Sequence, residues 1–348
     1  MVLVLLIAVG FLVLGRVMGA SRTAQGSLLA VLFGAVLIIQ VTLPDGHSLR
    51  AATGGSLAAW LILAGVGALA GLYMLGLRWL KTRARPSNEP TQEGPFSEQE
   101  LERYARHIVL REIGGAGQQK LKSAKVLVVG AGGLGSPALL YLAAAGVGTI
   151  GIVDDDTVSL SNLQRQILHS QDRIGMAKVF SAQQGLAAIN PDVSVLPFNR
   201  RLSGENASEL FNGYDLILDG SDNFATRHLV NETCVALGIP LVSAAITQWE
   251  GQISLYHPAS DGPCYACVFP HIPAKGLAPS CSEAGVMGAL PGVVGSMMAV
   301  EAIKHITGAG PTLTGELLIY DALYGESRKM RTERRVDCAI CAAAIPPG

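Results

Sequence analysis

Residues 125–156 read KVLVVGAGGLGSPALLYLAAAGVGTIGIVDDD. A β-branched run at 125–129 ends in Gly130-x-Gly132-x-x-Gly135. Residues 138–145 are helical in composition, and a second β-branched run at 149–153 stops at three aspartates. Strand, glycine loop, helix and strand in this order are a βαβ unit that binds a nucleotide. Glycines there allow the tight turn, the close approach of backbone to phosphate and the packing of helix on sheet. The helix N-terminus offers unpaired N–H groups and a favourable dipole to an anion. Asp154 follows Gly135 by 19 residues and closes the second strand, where a carboxylate accepts hydrogen bonds from ribose hydroxyls. That much suits NAD and ATP equally.

Working outward, further strands are predicted at 194–196, 216–218 and 240–243, with helical stretches at 177–188 and 223–237 between them. Strands alternating with helices at this spacing predict an α/β fold with a parallel sheet covered on both faces. Residues 252–256 and 317–321 read as later strands, and 283–306 as a long apolar helical region interrupted by Pro291 and Gly292. Upstream, Ser97 and Glu100 form a capping box that opens a helix running to about residue 110. Residues 84–95 are polar, contain three prolines and read as a linker.

Before the linker the composition changes. Residues 1–15, 28–43 and 56–77 carry no charge, and the third run, 22 residues long, reaches the roughly 20 residues that a membrane-crossing helix needs. The shorter runs could instead be buried soluble helices. The first run has no basic stretch ahead of it, unlike a signal peptide. Arg16 and Arg22 lie between the first two runs, and Arg78, Lys81, Arg83 and Arg85 follow the third. The positive-inside rule then predicts three spans, an outside N-terminus and a cytoplasmic remainder. The expected organisation is a multi-pass anchor of the inner (cytoplasmic) membrane at 1–80, a linker at 81–95 and a catalytic domain at 96–348.

The formal net charge of -1 contains no basic stripe and argues against a nucleic-acid partner. Arg165, in Ser161-Asn162-Leu163-Gln164-Arg165-Gln166, and Lys178 place two cations beyond the ribose-binding strand, and Asp222 follows a later strand. Hydride transfer has no need of these cations. Attack on an α-phosphate does need them, because Arg and Lys stabilise charge building on phosphoryl oxygens while a carboxylate holds Mg²⁺. Singly, each could be a surface ion pair; together they favour nucleotidyl transfer.

Cys264-x-x-Cys267 and Cys338-x-x-Cys341 have the spacing of the two halves of a tetrathiolate Zn²⁺ site, a closed structural metal with no open position for catalysis. A redox dithiol would account for only one pair. Cys281 stands apart, in a loop leading into a helix whose end can lower a thiol pKa, and reads either as a nucleophile or as a buried residue. Cys234, on an apolar helix, reads as core.

These motifs, with Arg103-Tyr104-Ala105-Arg106, Ile174-Gly175-Met176-Ala177-Lys178 and Gly220-Ser221-Asp222-Asn223, resemble the MoeB/ThiF/HesA family over about residues 103–341. That family comprises the bacterial relatives of ubiquitin-activating enzymes. The resemblance implies a Rossmann-like ThiF-type fold, its mostly parallel sheet extended by antiparallel strands and joined by a zinc knuckle. It also implies ATP-dependent adenylylation of the C-terminal Gly-Gly carboxylate of a ubiquitin-like sulfur-carrier protein. The molybdopterin synthase small subunit of molybdenum cofactor biosynthesis is the leading carrier and the thiamine-pathway carrier the alternative. A noncatalytic membrane-tethered binding module is a third reading.

Residue by residue, the resemblance places Gly130, Gly132, Gly133, Gly135, Asp154 and Asp156 at the nucleotide, with Asp154 holding the ribose. Asn162, Arg165 and Lys178 contact the triphosphate and Asp222 coordinates Mg²⁺. Arg106 crosses a homodimer interface to the partner's phosphates. Cys281 matches the position of a reactive cysteine in some relatives. No rhodanese-like domain follows Cys341 in this sequence, which implies a separate sulfur-donor protein.

Overall fold

The computed structural model describes residues 2–54, 56–83, 94–260, 262–271 and 284–342, with 22, 23 and 81–83 as backbone alone. Cys281 and most of the linker lie outside the described residues. The chain forms two compact units, Met1–Gln92 and Glu93–Gly348.

The first unit contains α1 (Val2–Val17), α2 (Arg22–Thr42), α3 (Ser48–Ala52) and α4 (Leu57–Arg83). Ser21 starts α2 by accepting a hydrogen bond from the N–H of Ala24, so this helix runs 21 residues, longer than its uncharged run indicates. Val4, Val36 and Trp60 form a small core, and the Trp60 indole N–H donates to the Thr53 carbonyl at 3.2 Å. Two segments, Ala24–Thr42 and Leu57–Leu80, are long and apolar enough to cross a membrane, and little of either is buried. At 16 residues α1 spans about 24 Å, below the roughly 30 Å of a hydrocarbon core. Among the described residues, two helices are of spanning length.

In the second unit, α5 (Glu98–Ile108) opens on the expected capping box, with both reciprocal hydrogen bonds present. There follow α6 (Gly114–Ser123), β1 (Lys125–Val129), α7 (Gly135–Ala145), β2 (Thr149–Val153), α8 (Lys178–Ile189), β3 (Ser194–Phe198), α9 (Ala207–Phe211), β4 (Leu216–Asp219) and α10 (Phe224–Leu237). Then come β5 (Leu241–Ile246), β6 (Glu250–Tyr256), α11 (Tyr265–Val268), α12 (Leu290–Thr307), β7 (Glu316–Asp321) and β8 (Glu326–Arg331). The sheet order is β3-β2-β1-β4-β5-β6-β7-β8. The first five strands are parallel and the pairings from β5 onward antiparallel.

Alternate side chains of the parallel strands face opposite ways, so both faces are apolar. Val126, Val128, Ile150, Ile152, Leu216 and Leu218 pack with residues of α7, α8 and α12. Leu127, Val129, Val153 and Ile217 pack with α9, α10 and Tyr265 of α11. The last helix corrects one expectation: it starts at Leu290, and Pro291 lies in its first turn. A proline there forgoes an N–H that has no intrahelical partner, so it opens the helix instead of interrupting it.

Because β1 connects through α7 to β2 on one side while β4 lies on its other side, the strand order reverses at β1. The loops after β1, β2 and β4 all leave the carboxyl edge of the sheet at this reversal. In open α/β sheets this is where the ligand crevice forms.

Candidate nucleotide site and thiol cluster

The glycine loop turns back at Gly130, whose φ is +93°. A Cβ at Gly135 would overlap the Gly130 carbonyl, which is why the first helical residue has none. Ala131, between them, is held at both ends of its backbone. Its N–H donates to Asp154 Oδ2 at 2.8 Å, and its carbonyl oxygen lies 2.9 Å from His169 Nε2. The other oxygen of Asp154 accepts the Asp156 N–H at 2.8 Å. Asp154 therefore shapes the phosphate loop and the turn after β2 together.

A carbonyl only accepts, so Nε2 of His169 carries the proton, and its Nδ1 accepts from the Ser181 hydroxyl at 2.8 Å. Burial lowers the His169 pKa, and the nearby cations Lys178 and Arg173 act in the same direction. The Ala131 carbonyl, which favours the protonated ring, opposes them. Nothing in local sequence pointed to His169, because its partner Ala131 lies 38 positions away.

Lys178 is the first residue of α8, and its Nζ lies 2.7 Å from Asp156 Oδ2. Arg165 donates to Asn162 Oδ1 at 3.0 Å and to the Ser161 carbonyl at 3.3 Å, with its side chain alongside Gly133. Pro291 of α12 lies against the same glycine. Gly130, Gly132, Gly133, Gly135, Asp154, Asp156, Asn162, Arg165 and Lys178 are thus gathered around one loop. The carboxylates of Asp154, Asp155 and Asp156 lie within 4.8 Å of one another.

Asp222 lies beyond that carboxylate group, exposed after β4. Its loop is fixed from beneath by two buried charges that sequence reasoning missed. Asp219 accepts the Ser221 N–H at 2.9 Å and the Ser243 hydroxyl at 3.1 Å. Arg227 donates to the carbonyls of Ser221 and Ala244.

Arg106 is placed elsewhere. Tyr104 of the same helix packs beneath Gly146, just past the C-terminus of α7, and accepts from Asn190 Nδ2 at 2.8 Å. The phosphate loop lies at the other end of α7, about 16 Å away along 11 residues. Arg106 is exposed and makes no hydrogen bond or ion pair among the described residues. Arg106 is outside the group gathered at the glycine loop.

The four paired cysteines meet on the α10–α11 side of the unit. Sγ separations are 3.7 Å for Cys264–Cys267, 3.6 Å for Cys264–Cys338 and 3.4 Å for Cys267–Cys341, and all four sulfurs lie within 4.8 Å of one another. A tetrahedron with metal–sulfur bonds near 2.3 Å has edges of about 3.8 Å. All four residues are buried and none is in a disulfide. The Arg335 N–H lies 3.4 Å from Cys267 Sγ, an amide aimed at a site of negative charge. Burial drives the Cys264 thiol pKa up, aided by Cys267. Burial opposes ionisation at Cys338 too, but the Cys341 and Ile340 amides bring it down to about 7. Donor type, number and spacing fit Zn²⁺. Cys234 is buried in α10 as core, its thiol pKa raised by burial.

The model of the ThiF family matches residues 104–340. A sulfur carrier protein adenylyltransferase of Thermus thermophilus is 50% identical over 250 residues, 71% of this chain and 92% of that protein. A SAMP-activating enzyme E1 of Haloferax volcanii is 48% identical, covering 70% of this chain and 89% of that one. The adenylyltransferase and sulfurtransferase MOCS3 of Bos taurus is 46% identical over 74% of this chain, which spans 57% of its length. Among solved structures, E. coli MccB aligns with a TM-score of 0.62 at 23% identity, covering 69% of this chain and 74% of MccB, and shares the fold.

Proposed function

This chain belongs to the ThiF family, and from that premise we propose that it uses ATP to adenylylate the C-terminal carboxylate of a ubiquitin-like sulfur-carrier protein. The observation that carries the reading is the cation-flanked glycine loop at the sheet's carboxyl edge, in a chain half identical to a sulfur carrier protein adenylyltransferase.

The carrier carboxylate is ionised at neutral pH, so no general base is needed. Its oxygen attacks the α-phosphorus, the bond from that phosphorus to the α,β-bridging oxygen breaks, and acyl-adenylate and pyrophosphate form. Asp154 holds the ribose. Arg165 and Lys178, with Asn162 orienting the arginine, offset charge growing on the phosphoryl oxygens. Asp222 would hold Mg²⁺, which neutralises the triphosphate when bound. Arg106 acts on the partner's site in a homodimer. Zn²⁺ on the four cysteines ties residues 338–341 to the 264–267 turn.

The molybdopterin synthase small subunit is our leading carrier, with a separate protein as sulfur donor, and the thiamine-pathway carrier is the alternative. The two apolar helices of the first unit support a membrane anchor that leaves the enzyme on the cytoplasmic face.

The test is carrier-dependent exchange of labelled pyrophosphate into ATP by the full chain. Exchange should require a Gly-Gly-ended carrier. Arg165→Ala and Asp222→Ala should each fold and lose about 100-fold or more of the rate. Undiminished exchange in Asp222→Ala would refute the metal assignment, and hydride transfer with NAD would refute the reading.

A further inference from the structure

The phosphate loop has a built-in weakness: glycine permits the peptide between Ala131 and Gly132 to rotate. The plane of a trans peptide carries the Ala131 carbonyl and the Gly132 N–H in opposite directions. Turning it over would point a carbonyl oxygen where an anion binds, and Gly132 meets little steric resistance to either orientation. The N–H groups of Gly132 and Gly133 make no hydrogen bond among the described residues, so they are free donors. What sets their direction is the bonding of the Ala131 carbonyl, which accepts a short bond of 2.9 Å from His169 and a long one of 3.5 Å from the Ser136 hydroxyl.

We propose that His169 is a positioning residue for nucleotide binding, holding the Ala131 carbonyl so that the Gly132 N–H faces the phosphates. This rests on the nucleotide reading above. The imidazole is buried, and Ser181, fully buried on α8, fixes its tautomer by donating to Nδ1. Arg173 secures that support by donating to the Ser181 carbonyl at 2.5 Å, the Leu168 carbonyl at 3.3 Å and the Ser170 hydroxyl at 2.6 Å. Asp154 draws the Ala131 N–H from the other side. The 38-residue connection thereby links the first turn of α8, which bears Lys178, to the loop that meets the phosphates. Without His169 the buried carbonyl keeps only the 3.5 Å bond from Ser136, too long to hold it firmly, and rotation of the peptide is favoured.

The experiment is titration calorimetry of ATP onto the full chain and its variants His169→Leu, His169→Gln and Ser181→Ala, each checked for fold by circular dichroism. Leucine removes the nearer of the two donors to the Ala131 carbonyl; glutamine can place an amide N–H near the same point. Kd for ATP should rise about tenfold or more in His169→Leu and stay within about threefold of wild type in His169→Gln. Ser181→Ala, which releases the tautomer, should fall between them. A folded His169→Leu that binds like wild type, or a glutamine variant as weak as leucine, would overturn the proposal. Should the leucine variant not fold, wild-type affinity in Ser181→Ala would overturn it equally. Failure of wild type itself to bind ATP would count against the nucleotide reading, leaving the two questions separate.

Discussion

Lys178 Nζ lies 2.7 Å from Asp156 Oδ2, and the pair straddles the protein surface, the lysine side chain 5% exposed and the aspartate 69%. A buried ammonium needs a partner. Here the partner is a solvent-facing carboxylate whose hold is weakened by water, and an incoming phosphate can take its place.

Lys178→Met should keep the fold, because it replaces an ammonium by a thioether of similar length, and should lower pyrophosphate exchange by about 100-fold. Asp156→Asn should lose much less, since it keeps an oxygen acceptor. Equal losses in both would show that the pair acts as one unit and that Lys178 does not meet the phosphates alone.

Atomic absorption should find one zinc per chain. Cys264→Ser should lower metal content and thermal stability together, because binding a structural metal is coupled to folding. Each kcal/mol lost should lower Tm by about 2–4 °C in a unit of this size. Four reduced thiols in a native, metal-free protein would contradict the assignment.

Tyr104 fixes α5 at the end of α7 remote from the phosphate loop, so Arg106 cannot serve its own chain's nucleotide without a large rearrangement. Arg106→Ala and Lys178→Ala proteins, each inactive alone, should therefore complement after subunit exchange. Random exchange produces half heterodimers, each with one intact site, hence about a quarter of wild-type activity. No recovery, with heterodimers demonstrated by mass spectrometry, would remove Arg106 from the partner's site.

Burial lowers the pKa of His169, His257 and His305. With folded values below the ordinary imidazole value of about 6.5, all three are neutral in both states well above that pH. As pH falls through 6.5 the unfolded chain takes up protons that the fold refuses, so stability falls with pH in this window. For His169, the facing cations Lys178 and Arg173 reinforce the effect, while the Ala131 carbonyl and, less, Asp154 oppose it. Urea unfolding at pH 7.5 and 5.5 should show the decline, and His169→Gln should make it shallower. An equal slope in that variant would mean that His169 contributes nothing to it.

The strands at 125–129 and 149–153 were legible to the residue because buried parallel strands are continuous apolar runs. β8 was not: Glu326–Arg331 is an exposed edge strand of mostly polar residues, with no apolar period to read. Its pairing with β7 makes it a strand. Nor was α6, whose glycines at 114, 115 and 117 argue against a helix until Leu121 finds the core.

By itself the sequence determined the phosphate loop, the carboxylate after the second strand and the two thiol pairs, because each depends on residues only a few positions apart. Tertiary structure alone decided that Asp219 and Arg227 lie beneath the Asp222 loop. It also decided that His169 closes on Ala131. A buried polar group is defined by the distant partner that satisfies it, and that partner is known only once the chain has folded.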